Sequence, residues 1–226
     1  MKNLLKNKFL LVLGALVLII VVLALSGALK LNFNVSRSGE ASVPADETSP
    51  VSSGEPTGQV NQLSASPVAF TAADGALEFS IYLPVGWRVG SSDEADFVAG
   101  SLLADTLPTG DDFTTNLNAS VRRHPSSVSS FADYQNSWKP EIQRQMPSLS
   151  VVNDYSKQVN GKDVYILEVR NTRPDGVVIH QIQYVYYLDD TYYMVVTASA
   201  PDSLWDKYQP VFSSSIESIQ QQSVAE

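Results

Sequence analysis

The sequence of 226 residues contains no cysteine. Disulfides, thiolate metal sites and the acylated cysteine of a lipoprotein are therefore excluded. Histidine is almost as scarce, since His124 and His180 are the only two, whereas catalytic zinc takes three protein ligands that often include histidine. No HExxH motif, Gly-x-Ser-x-Gly elbow, phosphate loop or dinucleotide fingerprint occurs. We therefore predict a protein that is not an enzyme, and we assign no catalytic, cofactor-binding or metal-ligating residue.

One long apolar run stands near the N-terminus. Residues Phe9 to Leu29 carry no charge, three lysines precede them and Lys30 follows. Such a run is long enough for a helix to cross a membrane, which needs roughly 20 apolar residues. Because lysines keep their side of the membrane cytoplasmic, we predict a basic cytoplasmic N-terminus (1–8) and a transmembrane signal-anchor (9–29) that places the remainder outside the cytoplasm. Small residues such as Ala24 and Ser26 leave cleavage as an alternative.

Acidic residues dominate beyond this run. The whole chain has a formal charge of -9, and without its four lysines at positions 2, 6, 8 and 30 the remainder carries 11 basic and 24 acidic residues, a charge of -13. This balance argues against binding to nucleic acid or to anionic lipid. We interpret the acidity mainly as a source of solubility for an exported domain.

Composition divides the exported part into a linker and a domain. Residues 30–69 are rich in Ser, Gly, Pro, Glu and Thr, which bury too little apolar area to offset the entropy cost of ordering, so a disordered linker is predicted. Aromatic and β-branched residues return at Phe70. We predict one extracytoplasmic domain over 70–222, of ordinary size for a single core, and a short tail over 223–226.

Periodicity predicts strands before and after a helix. Alternation at Leu77 to Leu83 is typical of a half-buried strand, and 96–103 and 116–123 follow as further strands. Spacings of three and four from Phe131 to Met146 predict a helix capped by Ser129 or Ser130, which Pro140 should kink or split. Four strands then form a predicted meander at 151–159, 163–172, 177–188 and 192–200, with a turn at Asn160-Gly161. A last helix is predicted over 202–220, bent at Pro210.

This order of elements predicts an α+β domain with an antiparallel sheet and helices on its faces. The segments FSIYLPVGWRV (79–89), NLNASVRR (116–123) and GKDVYILE (161–168) resemble the PsbP-like superfamily, which includes PsbP proteins and DcrB-type envelope proteins. The resemblance covers about residues 70–220. It implies an α-β-α sandwich and a non-enzymatic binding or assembly role. No metal-site motif of the photosynthetic members is matched, so no site and no cofactor is carried over.

Several residues invite a functional interpretation. His124 and His180 are interpreted as structural, and so are the tyrosines at 184, 186, 187, 192 and 193, which we assign to packing on both faces of the sheet. Trp87 is interpreted as a core residue. The acids Asp93, Glu94 and Asp96, and the acids Asp105, Asp111 and Asp112, lack the spacing of a calcium loop. We expect them to be solvated carboxylates in turns, and metal binding stays open.

The predicted function is that of a membrane-anchored extracytoplasmic binding module with an envelope protein as its partner. The anchor, the flexible linker and the missing catalytic constellation support this hypothesis. Two alternatives stay open at this point. One is an extracytoplasmic hydrolase with scattered serines or carboxylates in a cleft, and the other is a sensor domain for a metal or small ligand.

Overall fold

The computed structural model describes residues 62–72, 75–93, 95–107, 109–110 and 112–222. The predicted N-terminus (1–8), signal-anchor (9–29), most of the linker and the tail (223–226) lie outside these ranges. Within them, no helix is long and apolar enough to cross a membrane.

A seven-stranded antiparallel sheet forms the centre of the fold. Its strands are β3 (Trp87–Gly90), β4 (Phe97–Ser101), β7 (Asn116–Arg123), β8 (Leu149–Val159), β9 (Lys162–Thr172), β10 (Val178–Tyr187) and β11 (Tyr192–Pro201). Their spatial order is β3-β4-β7-β11-β10-β9-β8. The predicted four-stranded meander is confirmed as the run from β8 to β11.

Two small sheets lie outside the main one. Strands β1 (Val68–Ala72), β2 (Leu77–Ile81) and β12 (Gln220–Gln222) form an antiparallel sheet in the order β1-β2-β12, and β5 (Asp105–Thr106) pairs with β6 (Asp112–Phe113). Leu63 also pairs with Pro84. The domain therefore begins before residue 70. The prediction of a disordered linker is wrong at the end of that segment, because Val68 and Ala69 pair with β2 and because residues 62–64 exchange backbone hydrogen bonds with residues 83–85.

Helix α1 (Phe131–Gln145) lies between β7 and β8 and covers one face of the main sheet. Of the two predicted cap residues, Ser129 and Ser130, the structure has Ser130 at the N-cap. The Asp133 carboxylate accepts hydrogen bonds from the backbone N–H groups of Ser129 and Ser130 at 2.8 and 2.9 Å. Tyr134, Trp138 and Ile142 are buried at a spacing of four, which places them on one face of the helix.

Helix α2 (Trp205–Glu217) follows a short 3₁₀ turn (Asp202–Leu204) and covers the opposite face together with the three-stranded sheet. The helix prediction over 202–220 is wrong at its C-terminal end, where Gln220 starts β12 and pairs with Ser80. Pro140 and Pro210 lie inside α1 and α2 without splitting them. Since buried residues flank both prolines, tertiary packing maintains each helix across the missing N–H group.

The main sheet separates two apolar cores. One contains α2, the three-stranded sheet and side chains such as Phe79, Tyr184 and Phe212, and the other contains α1 with Leu167 and Val195. This arrangement confirms the predicted α+β class with helices on both faces of an antiparallel sheet.

Candidate functional site

His180 lies on the sheet face covered by α2, between two carboxylates. Its Nδ1 is 2.9 Å from Asp202 Oδ1, and its Nε2 is 2.8 Å from Glu168 Oε1. The Trp205 indole stacks on the ring and donates from Nε1 to the same Glu168 oxygen at 3.0 Å. Arg170 donates to Asp202 Oδ1 at 2.6 Å. The cluster therefore joins β9 and β10 to the start of α2.

The geometry of this cluster indicates a structural role and not a ligand-binding one. His180 is 1% exposed, and its two nitrogens face carboxylates on opposite sides, so the three groups do not converge on one ligand position. The contact with Glu168 has the distance but not the angles of a hydrogen bond. Burial lowers the pKa of His180 below 6.5, against the raising effects of its bond to Asp202 and the charge of Glu168. Across the described ranges, no three or more His, Asp or Glu side chains are grouped so as to hold a metal ion.

Both ring nitrogens of His124 also lie within hydrogen-bonding distance of a polar group. Its Nε2 is 2.6 Å from the Asp189 carbonyl oxygen, and its Nδ1 is 2.9 Å from the Tyr134 hydroxyl. Because a carbonyl oxygen only accepts, Nε2 is the donor in the first of these hydrogen bonds, and the second joins Nδ1 to the Tyr134 hydroxyl. The ring stacks on Tyr187 with centroids 4.7 Å apart. The structural interpretation of both histidines fits these contacts.

The tyrosines of β10 and β11 occupy both faces of the sheet, as predicted. Towards α2, the Tyr186 hydroxyl donates to the Ile216 carbonyl and the Tyr184 hydroxyl to Glu217 Oε1, both at 3.0 Å. Towards α1, Tyr193 is buried beside the helix. Burial raises the pKa of Tyr193 to about 12. These tyrosines link the helices to the sheet, through hydrogen bonds on the side of α2 and through packing on the side of α1.

Two predicted turn acids are only partly exposed and accept hydrogen bonds from other parts of the protein. Asp96 Oδ2 accepts from Arg122 and from the Val121 N–H, both at 2.7 Å. Asp105 accepts from the Tyr208 hydroxyl at 3.1 Å. The expectation of solvated carboxylates is therefore wrong for both, because strand β7 and helix α2 bring donors that lie far away in sequence. Asp93 and Asp112 are exposed as expected, and Glu94 and Asp111 lie outside the described residues.

A cleft of about 520 Å³ opens where β12 meets the end of the main sheet. Phe79, Tyr186 and Met194 contribute apolar surface to it. Lys162 is the one charged side chain that lines it within the described residues, and its Nζ donates to the Leu188 carbonyl at 2.6 Å. Because acid–base catalysis requires titratable groups that converge on a substrate, this lining does not favour the hydrolase alternative.

Exposed apolar side chains concentrate at the edge of the sheet formed by β3. Leu103 is 73% exposed, and Leu102, Val89 and Val85 are exposed as well. Because Trp87 pairs with Ser101, Val85 and Leu103 leave the β3–β4 ladder at the same end. The half-buried Trp87 ring packs edge-on against Phe212, in line with its predicted place in the core. We refer to Val85, Val89, Leu102 and Leu103 as the β3 edge patch.

The opposite edge of the sheet is protected. Strand β8 is 11 residues long, but a register shift between Val151 and Asn153 interrupts its ladder. Two ion pairs of 2.6 and 2.7 Å join Asp154 to Lys139 and Lys157 to Glu217. Bulges and charged side chains are the usual protection of an edge strand against pairing with another chain. By comparison, β3 pairs on its inner side with β4 and on its outer side with no strand of the described residues, which favours it as the binding edge.

Solved structures that are similar to this chain include the following two proteins. The cyanobacterial PsbP protein (CyanoP) of Synechocystis is 16% identical, with a TM-score of 0.47, over 77% of this chain and 100% of its own. LpqN of Mycobacterium tuberculosis, which is involved in cell envelope biogenesis, is 14% identical, with a TM-score of 0.53, over 72% of this chain and 92% of its own. At this identity the likeness to LpqN shows the fold alone.

Comparison of the sequence with family models identifies the family more specifically than the structural comparison does. No curated protein matches the chain. The PsbP family model, however, matches residues 71–221, which is more than half of the sequence. Of the elements in the described residues, this range includes both helices and eleven of the twelve strands in full or nearly so. The chain therefore belongs to the PsbP family.

Proposed function

We propose that this protein is a membrane-anchored, extracytoplasmic and non-enzymatic binding module, which docks an envelope protein along the β3 edge patch. The observation that carries the proposal is the 73% exposure of Leu103 beside the edge strand β3, whose outer side pairs with no strand among the described residues. Exposed apolar groups next to free backbone donors and acceptors are the combination used when a partner adds a strand to a sheet.

The location rests on the sequence. The run from Phe9 to Leu29 with its preceding lysines supports an anchor, and residues 30–61 supply a tether between that anchor and the domain. The envelope role of LpqN agrees with such a location. Protease treatment of intact cells tests it, because an exported domain is degraded without lysis, whereas a domain that resists protease until the cells are lysed contradicts an extracytoplasmic position.

Photo-crosslinking from single positions tests the docking edge. A photoreactive residue at position 103 of the full chain in native membranes is expected to yield a discrete crosslinked band of higher mass. Position 152 on β8 is the matched control, since Val152 is also exposed, at 43%. Equal labelling from both positions, or labelling from position 152 alone, would place the contact elsewhere.

A further inference from the structure

Seven uncharged polar side chains occupy the centre of the sheet face beneath α1. They come from the adjacent strands β7, β11 and β10 and form two rows across them. None is more than 4% exposed. This polar grid consists of the row Asn118, Thr197 and Gln183, the row Asn116, Ser199 and Gln181, and Ser120 in the next row of β7.

Only part of the grid is bonded within the protein. Gln181 Nε2 donates to Ser199 Oγ at 2.9 Å, and Trp138 Nε1 of α1 donates to Gln183 Oε1 at 3.2 Å. The second bond links the helix directly to the grid. These contacts hold both glutamine side chains of the grid in position over the sheet. Asn116 Nδ2 donates to the Thr114 carbonyl at 2.8 Å.

Most of the remaining polar atoms lack a partner. In the described part of the chain, eight buried side-chain nitrogen or oxygen atoms have no hydrogen bond, and six of the eight belong to the grid. Buried polar groups are nearly always hydrogen-bonded to protein or to ordered water. Six unpartnered atoms on one patch therefore indicate that bound molecules supply their hydrogen bonds. The six atoms are Asn116 Oδ1, Asn118 Nδ2, Asn118 Oδ1, Ser120 Oγ, Gln181 Oε1 and Thr197 Oγ1.

The chemistry of these atoms indicates which class of molecule can bind to them. The grid contains no charged side chain, so it offers no counter-ion to an ionic ligand. It combines acceptors such as Gln181 Oε1 with the amide donor Asn118 Nδ2 and with hydroxyls that serve as either. A water molecule both donates and accepts, so it can satisfy amide nitrogens, amide oxygens and hydroxyls on neighbouring strands at once. We propose that the polar grid is an internal binding site for ordered water, in which water molecules link β7, β10 and β11.

Water contacts at the grid are directly measurable. In the full-length ¹⁵N-labelled protein in detergent micelles, the side-chain NH₂ of Asn118 should show rotating-frame Overhauser cross-peaks to water that report long-lived contact. The variant Asn116→Leu should weaken them by removing a neighbouring acceptor. The control variant Thr172→Val, at an exposed position of β9, should leave them unchanged. Their absence from the wild-type spectrum would overturn the proposal.

The substitution Thr197→Val provides a second and independent test, because valine has nearly the shape of threonine. If the Thr197 hydroxyl binds water, its loss should lower the urea midpoint of unfolding, while Thr172→Val has little effect. If the hydroxyl is buried without a partner, the substitution should raise the midpoint instead, which would contradict the proposal. An uncharged organic molecule that co-purifies with the protein and leaves only on unfolding, as seen by native mass spectrometry, would also overturn water as the bound molecule.

Discussion

Trp205 stacks its indole on the imidazole of His180, with ring centroids 3.9 Å apart and planes inclined by 10°. Trp205 is the first residue of α2, and His180 belongs to β10. Glu168 contacts both rings, since its Oε1 accepts from the indole and lies beside the imidazole. The start of α2 is therefore bound to the main sheet by one compact set of polar and stacking contacts.

His180 should make stability depend on pH. Because burial lowers its pKa in the folded protein below the ordinary value of 6.5, the unfolded chain takes up a proton more readily than the folded one in the window just below pH 6.5. The free energy of unfolding should therefore fall as the pH decreases through that window. Urea unfolding at pH 7.5 and pH 5.5 measures the difference.

The variant His180→Gln cannot take up this proton, so it should lose less stability than the wild type between the two pH values. His124→Gln removes the other histidine and serves as the control. Burial raises the pKa of Asp202, but its bonds to Arg170 and His180 together outweigh that effect and lower the pKa below 3.8, so Asp202 contributes at lower pH. An identical pH response in the wild type and His180→Gln would refute the assignment.

The Tyr186 hydroxyl should contribute measurably to stability. It is buried and donates to the Ile216 carbonyl near the end of α2, so Tyr186→Phe leaves that carbonyl without its side-chain partner. We expect a loss of about 1 kcal/mol in the free energy of unfolding. Tyr155→Phe, at an exposed position of β8, should change it by less than about 0.5 kcal/mol. Equal effects of the two substitutions in urea titrations would contradict this account.

Asn160 should hold the C-terminal segment through its side chain. Its Nδ2 donates to the carbonyls of Glu217 and Ile219, both at 2.9 Å. Asn160 has a φ of +51°, which glycine adopts freely, so Asn160→Gly removes the hydrogen bonds without straining the turn. Amide hydrogen exchange should become faster at residues 219–222 and stay unchanged in β10. Unchanged exchange at 219–222 would show that these two bonds do not hold the segment.

Substitution of Gly161 tests how much backbone strain the same turn imposes on a residue with a side chain. The φ of Gly161 is +76°, and a Cβ atom at this position would meet no atom within 4 Å. The cost of Gly161→Ala should therefore come from the backbone alone, on the order of 1 kcal/mol. Thermal unfolding measures it, and Gly161→Asn, which tolerates positive φ better, is the matched control. An alanine variant as stable as the wild type would rule out the strain.

Local patterns predict much of this fold. The meander follows from alternation and turn residues, and positive φ at both Asn160 and Gly161 matches the hairpin turn that this pair favours. By contrast, β12 consists of three glutamines, which carry no apolar alternation. That strand depends on its pairing with β2, a contact between segments far apart in sequence. Tertiary packing likewise overrides the helix-breaking tendency of Pro140 and Pro210.

The surroundings of His180, the β3 edge patch and the polar grid could not be predicted from the sequence. The neighbours of His180 come from β9 and from the turn before α2, so only the strand register brings Glu168 and Asp202 to the same ring. The β3 edge patch depends on sheet order, because Leu102 and Leu103 read as part of an ordinary strand in the sequence. The polar grid has the same origin, since its rows exist only once β7, β10 and β11 are aligned.

Co-purification from native membranes tests the docking edge most directly. The variant Leu103→Glu places a charge in the β3 edge patch, and Val152→Glu places the same charge on β8 as the control. Both are exposed positions, so both variants should unfold at the wild-type temperature. We predict that Leu103→Glu loses the envelope protein that co-purifies with the full-length wild type, whereas Val152→Glu retains it. Retention of that protein by a folded Leu103→Glu variant would contradict docking at this edge.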